Sequence, residues 1–224
     1  MDKAQVLQRI VEIGIVPVIR VASSEDALAA AEAVSQGGIP IVEITMTVPG
    51  AIEVIQSLNQ RRTDLLIGAG TVLDAATARQ CIAAGAQFLA SPGLDLETVA
   101  VARSQGKVMF AGALSPTEVI AAWKANADFV KVFPCSAVGG PKYIASLKGL
   151  FPEAQLVPSG GVSLETAPEF ILAGASALAA GGELIEASAL RAHKLATIAQ
   201  KTRRFVELVR KARGQLKPPP KTEW

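Results

Sequence analysis

Eight short apolar runs, each followed by a segment of helical period, recur along the 224 residues of the chain, and few folds satisfy such a pattern. The runs fall at 16–21, 40–45, 65–69, 87–90, 108–111, 129–133, 156–158 and 177–180. Helical segments lie between them at 24–36, 50–61, 74–84, 96–105, 116–124, 141–150 and 164–173. Several open on residues whose side chains cap helices: Ser23 or Ser24, Asp74, Asp95, Ser115 and Ser163. Several close on glycine: Gly37-Gly38, Gly85, Gly106 and Gly174. Repeated strand–helix units with short loops imply a parallel sheet. Eight such units in one domain of this size predict a (β/α)8 TIM barrel, an α/β fold, with an N-terminal helix and a long C-terminal helix at about 187–213. An open doubly wound sheet predicts a glycine-rich turn after the first strand, and residues 20–26 hold no glycine. The barrel domain is expected over 1–213, and 214–224 read as a flexible tail.

Composition agrees. Half of the residues are hydrophobic and only 4% are aromatic, so the core must be Val, Ile, Leu and Ala, as in buried parallel strands. A net charge of +2 points to neither nucleic acid nor a membrane surface. No apolar stretch reaches the roughly 18 residues that span a bilayer. The opening stretch reads as an amphipathic helix rather than a signal peptide. Two cysteines, Cys81 and Cys135, without a CxxC motif or a disulfide framework, predict a reducing, cytoplasmic setting. The lone histidine, His193, cannot form a metal site alone and reads as a surface residue.

One charge breaks the run Phe129-Val130-Lys131-Val132-Phe133. Burial of a lysine disfavours its ammonium form. A neutral amine in a closed site attacks carbonyls to form a Schiff base. The alternative is an edge-strand lysine with its head in water. Glu43 interrupts the second run, within IVEIT. Alternation puts Phe129, Lys131 and Phe133 on one face, and Ile41, Glu43 and Thr45 on another. If both faces point inward, Lys131 and Glu43 meet in one cavity, where opposite charges need each other, water or a ligand. A purely structural partner for Arg20 or Lys131 is the other reading of Glu43.

Barrel enzymes build their sites where strands meet the following loops. Arg20 ends the first strand, Thr71 follows the third, and Ser91-Pro92-Gly93 follows the fourth. Ser159-Gly160-Gly161 follows the seventh strand and Gly181-Gly182-Glu183 the eighth. Glycine pairs at those two strands suit phosphate binding through backbone N–H groups. Simple turn glycines are the alternative.

The segments VPVIR, GGIPIVEITMTVPGA, IGAGTVLD, AGAQFLASPG, FVKVFP and PSGGVSLE together resemble the 2-keto-3-deoxy-6-phosphogluconate (KDPG) / 4-hydroxy-2-oxoglutarate (KHG) aldolase family, over roughly residues 5–210. The resemblance implies a class I aldolase that needs no metal or other cofactor, is usually homotrimeric, and cleaves a small-molecule 2-oxo acid to pyruvate and an aldehyde. It implies that Lys131 is the Schiff-base lysine and Glu43 the general acid/base, acting through a water. Thr71 and Pro92 match residues lining the pyruvate half of the substrate, and Ser159 stands where many members have threonine. Arg20 matches an arginine that some members carry for the carboxylate. The pair that follows Ser159, Gly160-Gly161, is the same as in the family. Two departures stand out. Thr47 occupies the place of an arginine that many members use for the pyruvate carboxylate, a job the guanidinium of Arg20 suits. Many members also have a serine against the phosphate; here Gly182 aligns with it and Glu183 follows, and a carboxylate repels a phosphate. The competing readings are a phosphate-binding barrel isomerase or epimerase, and a non-catalytic carboxylate-binding barrel. Cys135 has no histidine nearby in sequence to activate it and reads as a small loop residue.

Overall fold

The helices start where the sequence supplies acceptors for their first N–H groups. Ser23, Asp74, Asp95 and Ser115 accept from the backbone N–H of Asp26, Thr77, Thr98 and Glu118. The helix after the seventh strand begins at Thr166, and Ser163 Oγ caps it from three residues upstream, accepting from Thr166 N at 3.2 Å. Helices end at Gly38, Gly85, Gly106 and Gly174, all in the left-handed region that glycine enters without strain. The computed structural model describes residues 1–216. Among them, Gly214, Gln215 and Leu216 bond back to Arg210, Ala212 and Arg213 in a turn after the last helix; the rest of the expected tail, 217–224, lies outside the described residues.

The strands are β1 (Ile15–Ile19), β2 (Ile41–Thr45), β3 (Leu66–Gly70), β4 (Phe88–Ala90), β5 (Val108–Ala113), β6 (Phe129–Val132), β7 (Leu156–Pro158) and β8 (Leu178–Ala180). They form one parallel sheet in the order β7-β6-β5-β4-β3-β2-β1-β8. An isolated bridge, Ser159 to Ala179, and a hydrogen bond from Ser176 N to Leu156 O at 2.9 Å join its edges and close the barrel. That seam is thin because β7 and β8 have three residues each. All strand residues are buried, as expected of strands covered by helices outside and packed inside.

Inside, Phe88, Phe110 and Phe129 form an aromatic layer. Phe110 and Phe129 stack with centroids 4.5 Å apart, and Phe88 tilts onto Phe110 at 5.4 Å. Gly68 makes room for this layer, since a Cβ there would lie 2.2 Å from the Phe88 ring. Lys131 is two residues beyond Phe129 on the same face of β6, so it stands above the aromatic layer, toward the mouth where the loops gather.

The opposite end is stoppered by the helix Lys3–Ile13, whose Val6 and Ile10 are buried. It is pinned beside the starts of β6 and β3: Lys3 pairs with Asp128 at 2.9 Å, and Arg9 donates to the Asp64 carbonyl at 2.7 Å. Arg213, at the end of the last helix, donates to the carbonyls of Glu12 and Ser176 at 2.6 and 3.0 Å. Both terminal helices are thereby tied to one end of the barrel.

The C-terminal helix is not continuous. Helix Ala187–Arg191 stops, and a second helix runs over Leu195–Arg213. Lys194 N bonds back to Ala189 O and His193 N to Leu190 O, the paired hydrogen bonds of a helix stop, with His193 left-handed at φ 53°. Glycine or asparagine usually holds that place, so the sequence carried no visible stop. His193 is exposed, as expected. No helix among the described residues is long and apolar enough to cross a membrane.

Candidate active site

Strands on opposite sides of the barrel, β2 and β6, place the central pair. Glu43 is the middle residue of β2, beside Val18 of β1 and Gly68 of β3. Lys131 lies between Gly112 of β5 and Val157 of β7. Both side chains point inward and meet: Lys131 Nζ donates to Glu43 Oε1 at 3.0 Å and to Oε2 at 3.2 Å. Glu43 is 2% exposed and Lys131 6%. Two charges at that depth are tolerable only as partners. The edge-strand reading of Lys131 is thereby excluded, and Glu43 pairs with Lys131 rather than Arg20.

Two glycines hold the pair in place. A Cβ on Gly70 would fall 2.0 Å from Glu43 Oε1, so only glycine leaves the carboxylate its position. A Cβ on Gly112 would fall 2.2 Å from the Pro92 carbonyl carbon, so the 91–93 loop packs directly on β5 beside Lys131. That loop is fixed further by Ser91, whose hydroxyl donates to Gly93 O at 2.6 Å and accepts from Gly112 N at 3.3 Å.

Above the pair is a narrow cavity of about 30 Å³ lined by Val18, Arg20, Thr71, Pro92, Lys131, Phe133 and Ser159. It shares Val18, Arg20, Phe133 and Ser159 with a wider cavity of about 230 Å³, whose remaining wall is Gly160, Gly161, Val162, Ala179, Gly181, Gly182 and Glu183. Every residue expected at the site therefore lines one cavity or the other except Glu43, which sits behind the lysine and lines neither. Arg20 lies just past the end of β1, exposed, and its guanidinium donates to Thr71 Oγ1 at 3.4 Å. Thr71 holds a left-handed backbone, φ 56°, which a β-branched residue adopts only when its surroundings impose it. Thr47 lines neither cavity; its hydroxyl is 2.7 Å from that of Thr45, which in turn donates to Ile19 O.

Val18 and Phe133 also line both cavities, and sequence reasoning did not single them out as site residues. The signal was present: Val18 is two residues from Arg20, and Phe133 two from Lys131, on the same strand faces. Cys135 follows in the same loop and is buried. Burial pushes its thiol up to about 11, and that of Cys81 up to about 12. Both are free thiols, and neither is a poised nucleophile. Among the described residues, no cluster of three His, Cys, Asp or Glu side chains is placed to hold a metal.

Fold and site together define a (β/α)8-barrel enzyme whose pocket ends on a buried, carboxylate-paired amine. The chain belongs to the KDPG and KHG aldolase family, whose model matches residues 6–201, and it is a carbon–carbon lyase. It is 31% identical to the 2-dehydro-3-deoxy-phosphogluconate aldolase of Treponema pallidum over 91% of this chain and 97% of that protein. It is 32% identical to the KHG/KDPG aldolase of Escherichia coli over 86% of this chain and 91% of that one. Among solved structures it superposes, with a TM-score of 0.82 and 29% identity, on KDPG aldolase from Legionella pneumophila with pyruvate captured as a covalent carbinolamine; the match covers 88% of this chain and 96% of that one.

Proposed function

We propose that this protein is a class I aldolase that cleaves a 4-hydroxy-2-oxo acid of the KDPG or KHG type to pyruvate and an aldehyde, with Lys131 as nucleophile and Glu43 as proton carrier. The observation that carries this reading is the buried contact of Lys131 Nζ with Glu43 at 3.0 Å on the floor of a pocket. The covalent carbinolamine of the Legionella relative supports it.

In this reading Glu43 takes a proton from the Lys131 ammonium, and the free amine adds to the C2 carbonyl. Glu43 returns that proton to the carbinolamine hydroxyl, which leaves as water and gives a protonated imine. That imine accepts the electron pair of the C3–C4 bond as Glu43, relaying through a water, takes the C4 hydroxyl proton. The aldehyde departs, C3 of the enamine is protonated, and water returns pyruvate and Lys131. The imine is the electron sink, so the chemistry calls for no metal, and chelators are expected to leave the rate unchanged. Thr71, Pro92 and Phe133 form the narrow walls for the three carbons of pyruvate, and Arg20 takes the carboxylate in place of an arginine at position 47. Ser159 and the four glycines face the aldehyde end.

General acid–base help accounts for about 10²–10⁴-fold in such steps, so Glu43→Gln should cut pyruvate release by that factor in a coupled assay. A variant with the wild-type rate would remove Glu43 from the mechanism. A homotrimer in a reducing cytoplasm completes the reading. The large apolar side chains of Leu73, Leu96 and Trp123, exposed on this chain, are the kind that such an assembly covers. Light scattering of the purified protein checks the mass.

A further inference from the structure

The charges on the walls of the wider cavity cancel. Among the described residues that line it, Arg20 is the one cation and Glu183 the one anion. Deeper in, Lys131 is matched by Glu43. Glu183 is exposed and takes part in no ion pair among the described residues, whereas its neighbour Glu186 is held by Lys201 at 2.6 Å. Glu183 thus stands at the rim without a cationic partner among the described residues. Around it the wall is backbone: Gly160, Gly161, Gly181 and Gly182 carry no side chains, and the N–H groups of Gly160, Gly161 and Gly182 donate to no backbone carbonyl among the described residues. Free N–H groups suit oxygen acceptors of any kind, neutral or charged. What decides between a neutral and a charged group is the field, and here the field has no net positive sign. Phosphate monoesters carry close to two negative charges at neutral pH.

We propose that Glu183 is a specificity-determining residue that turns the aldehyde end of the pocket toward an uncharged, hydroxylated chain and against a phosphate ester. The proposal deepens the aldolase reading and rests on it. Hydroxyl groups can donate to the Glu183 carboxylate and accept from the glycine N–H groups, so a polyol end satisfies both partners. A phosphate satisfies only the second and meets the first as a like charge.

The test is a ratio. For wild type and Glu183→Gln, kcat/KM is measured with a phosphorylated 4-hydroxy-2-oxo acid and with its unphosphorylated counterpart, at low and high salt. Two like charges against one at a solvated rim correspond to about tenfold. Glu183→Gln is therefore expected to raise the phosphorylated-to-unphosphorylated ratio about tenfold at low salt, with the shift shrinking at high salt. A ratio within twofold of wild type at low salt overturns the proposal. Inorganic phosphate, titrated by calorimetry, reads the same repulsion without turnover. Tighter binding to the variant by a similar factor is expected, and equal affinity overturns the proposal. Covalent trapping of pyruvate on Lys131 does not involve Glu183, so its failure would count against the aldolase reading alone.

Discussion

Replacing Gly70 by alanine should disable the site without touching any group that reacts. A Cβ built on Gly70 lies 2.0 Å from Glu43 Oε1, 2.6 Å from Cδ and 2.7 Å from Cγ. Ordinary contact begins near 3.4 Å, so the carboxylate must retreat by about 1.4 Å. Glu43 is 2% exposed and sits between neighbouring strands, so it has no solvent to swing into. A retreat of that size takes it from its 3.0 Å contact with Lys131. A misplacement of about 1 Å costs on the order of 10²-fold in rate where a group must be positioned for reaction. Overpacking a buried site costs about 1–3 kcal/mol. For a chain of this size each kcal/mol moves Tm by about 2–4 °C. Gly70→Ala is therefore expected to lower pyruvate release about a hundredfold and Tm by about 2–12 °C. Gly149→Ala is the control: nothing lies within 4 Å of its Cβ, it is inside a helix, and its Tm should rise slightly. A Gly70→Ala protein with wild-type rate and Tm would refute the claim that glycine is there to seat the carboxylate.

Thr71 holds φ 56° at the edge of the narrow cavity, and Thr71→Gly relieves that backbone while removing the hydroxyl that faces Arg20. Tm is expected to rise by a few degrees, corresponding to about 1 kcal/mol, while KM for the oxo acid worsens; a lower Tm would contradict the strain. Cys81 and Cys135 are buried with thiols pushed up to about 12 and about 11, so neither should react with a thiol reagent at pH 8 until the protein unfolds. Raised folded-state values also fix a sign. The thiols' contribution to stability is whole below the ordinary cysteine value near 9, and is lost as pH climbs toward 11 and 12, so urea midpoints should fall across that window. A midpoint that rises there would contradict it.

Much of this was legible in the chain because barrels enforce period. Each strand had to be a short apolar run and each helix a capped segment, so Ser23, Asp74, Asp95 and Ser115 marked starts that the structure repeats. Lys131 and Glu43 stood out because a charge has no business in a buried strand without a partner. Alternation alone said they could meet. The break before Leu195 was hidden, because His193 does a glycine's work in the left-handed region. The depth order of the site was hidden as well. That Glu43 lies behind Lys131 and outside both cavities depends on which strands flank which across the barrel, and the relation of β2 to β6 is set by closure rather than by any local signal. Val18 and Phe133 were missed because an apolar residue in a strand looks like core until a cavity opens beside it.

The central claim is that Lys131 forms a covalent bond with a 2-oxo acid. Borohydride reduction in saturating pyruvate, followed by intact and peptide mass spectrometry, tests it most directly. A reduced pyruvate adduct on the peptide carrying Lys131, absent from Lys131→Met, is the expected result. A folded wild-type protein that gains no mass, or gains it on another lysine, would contradict the account.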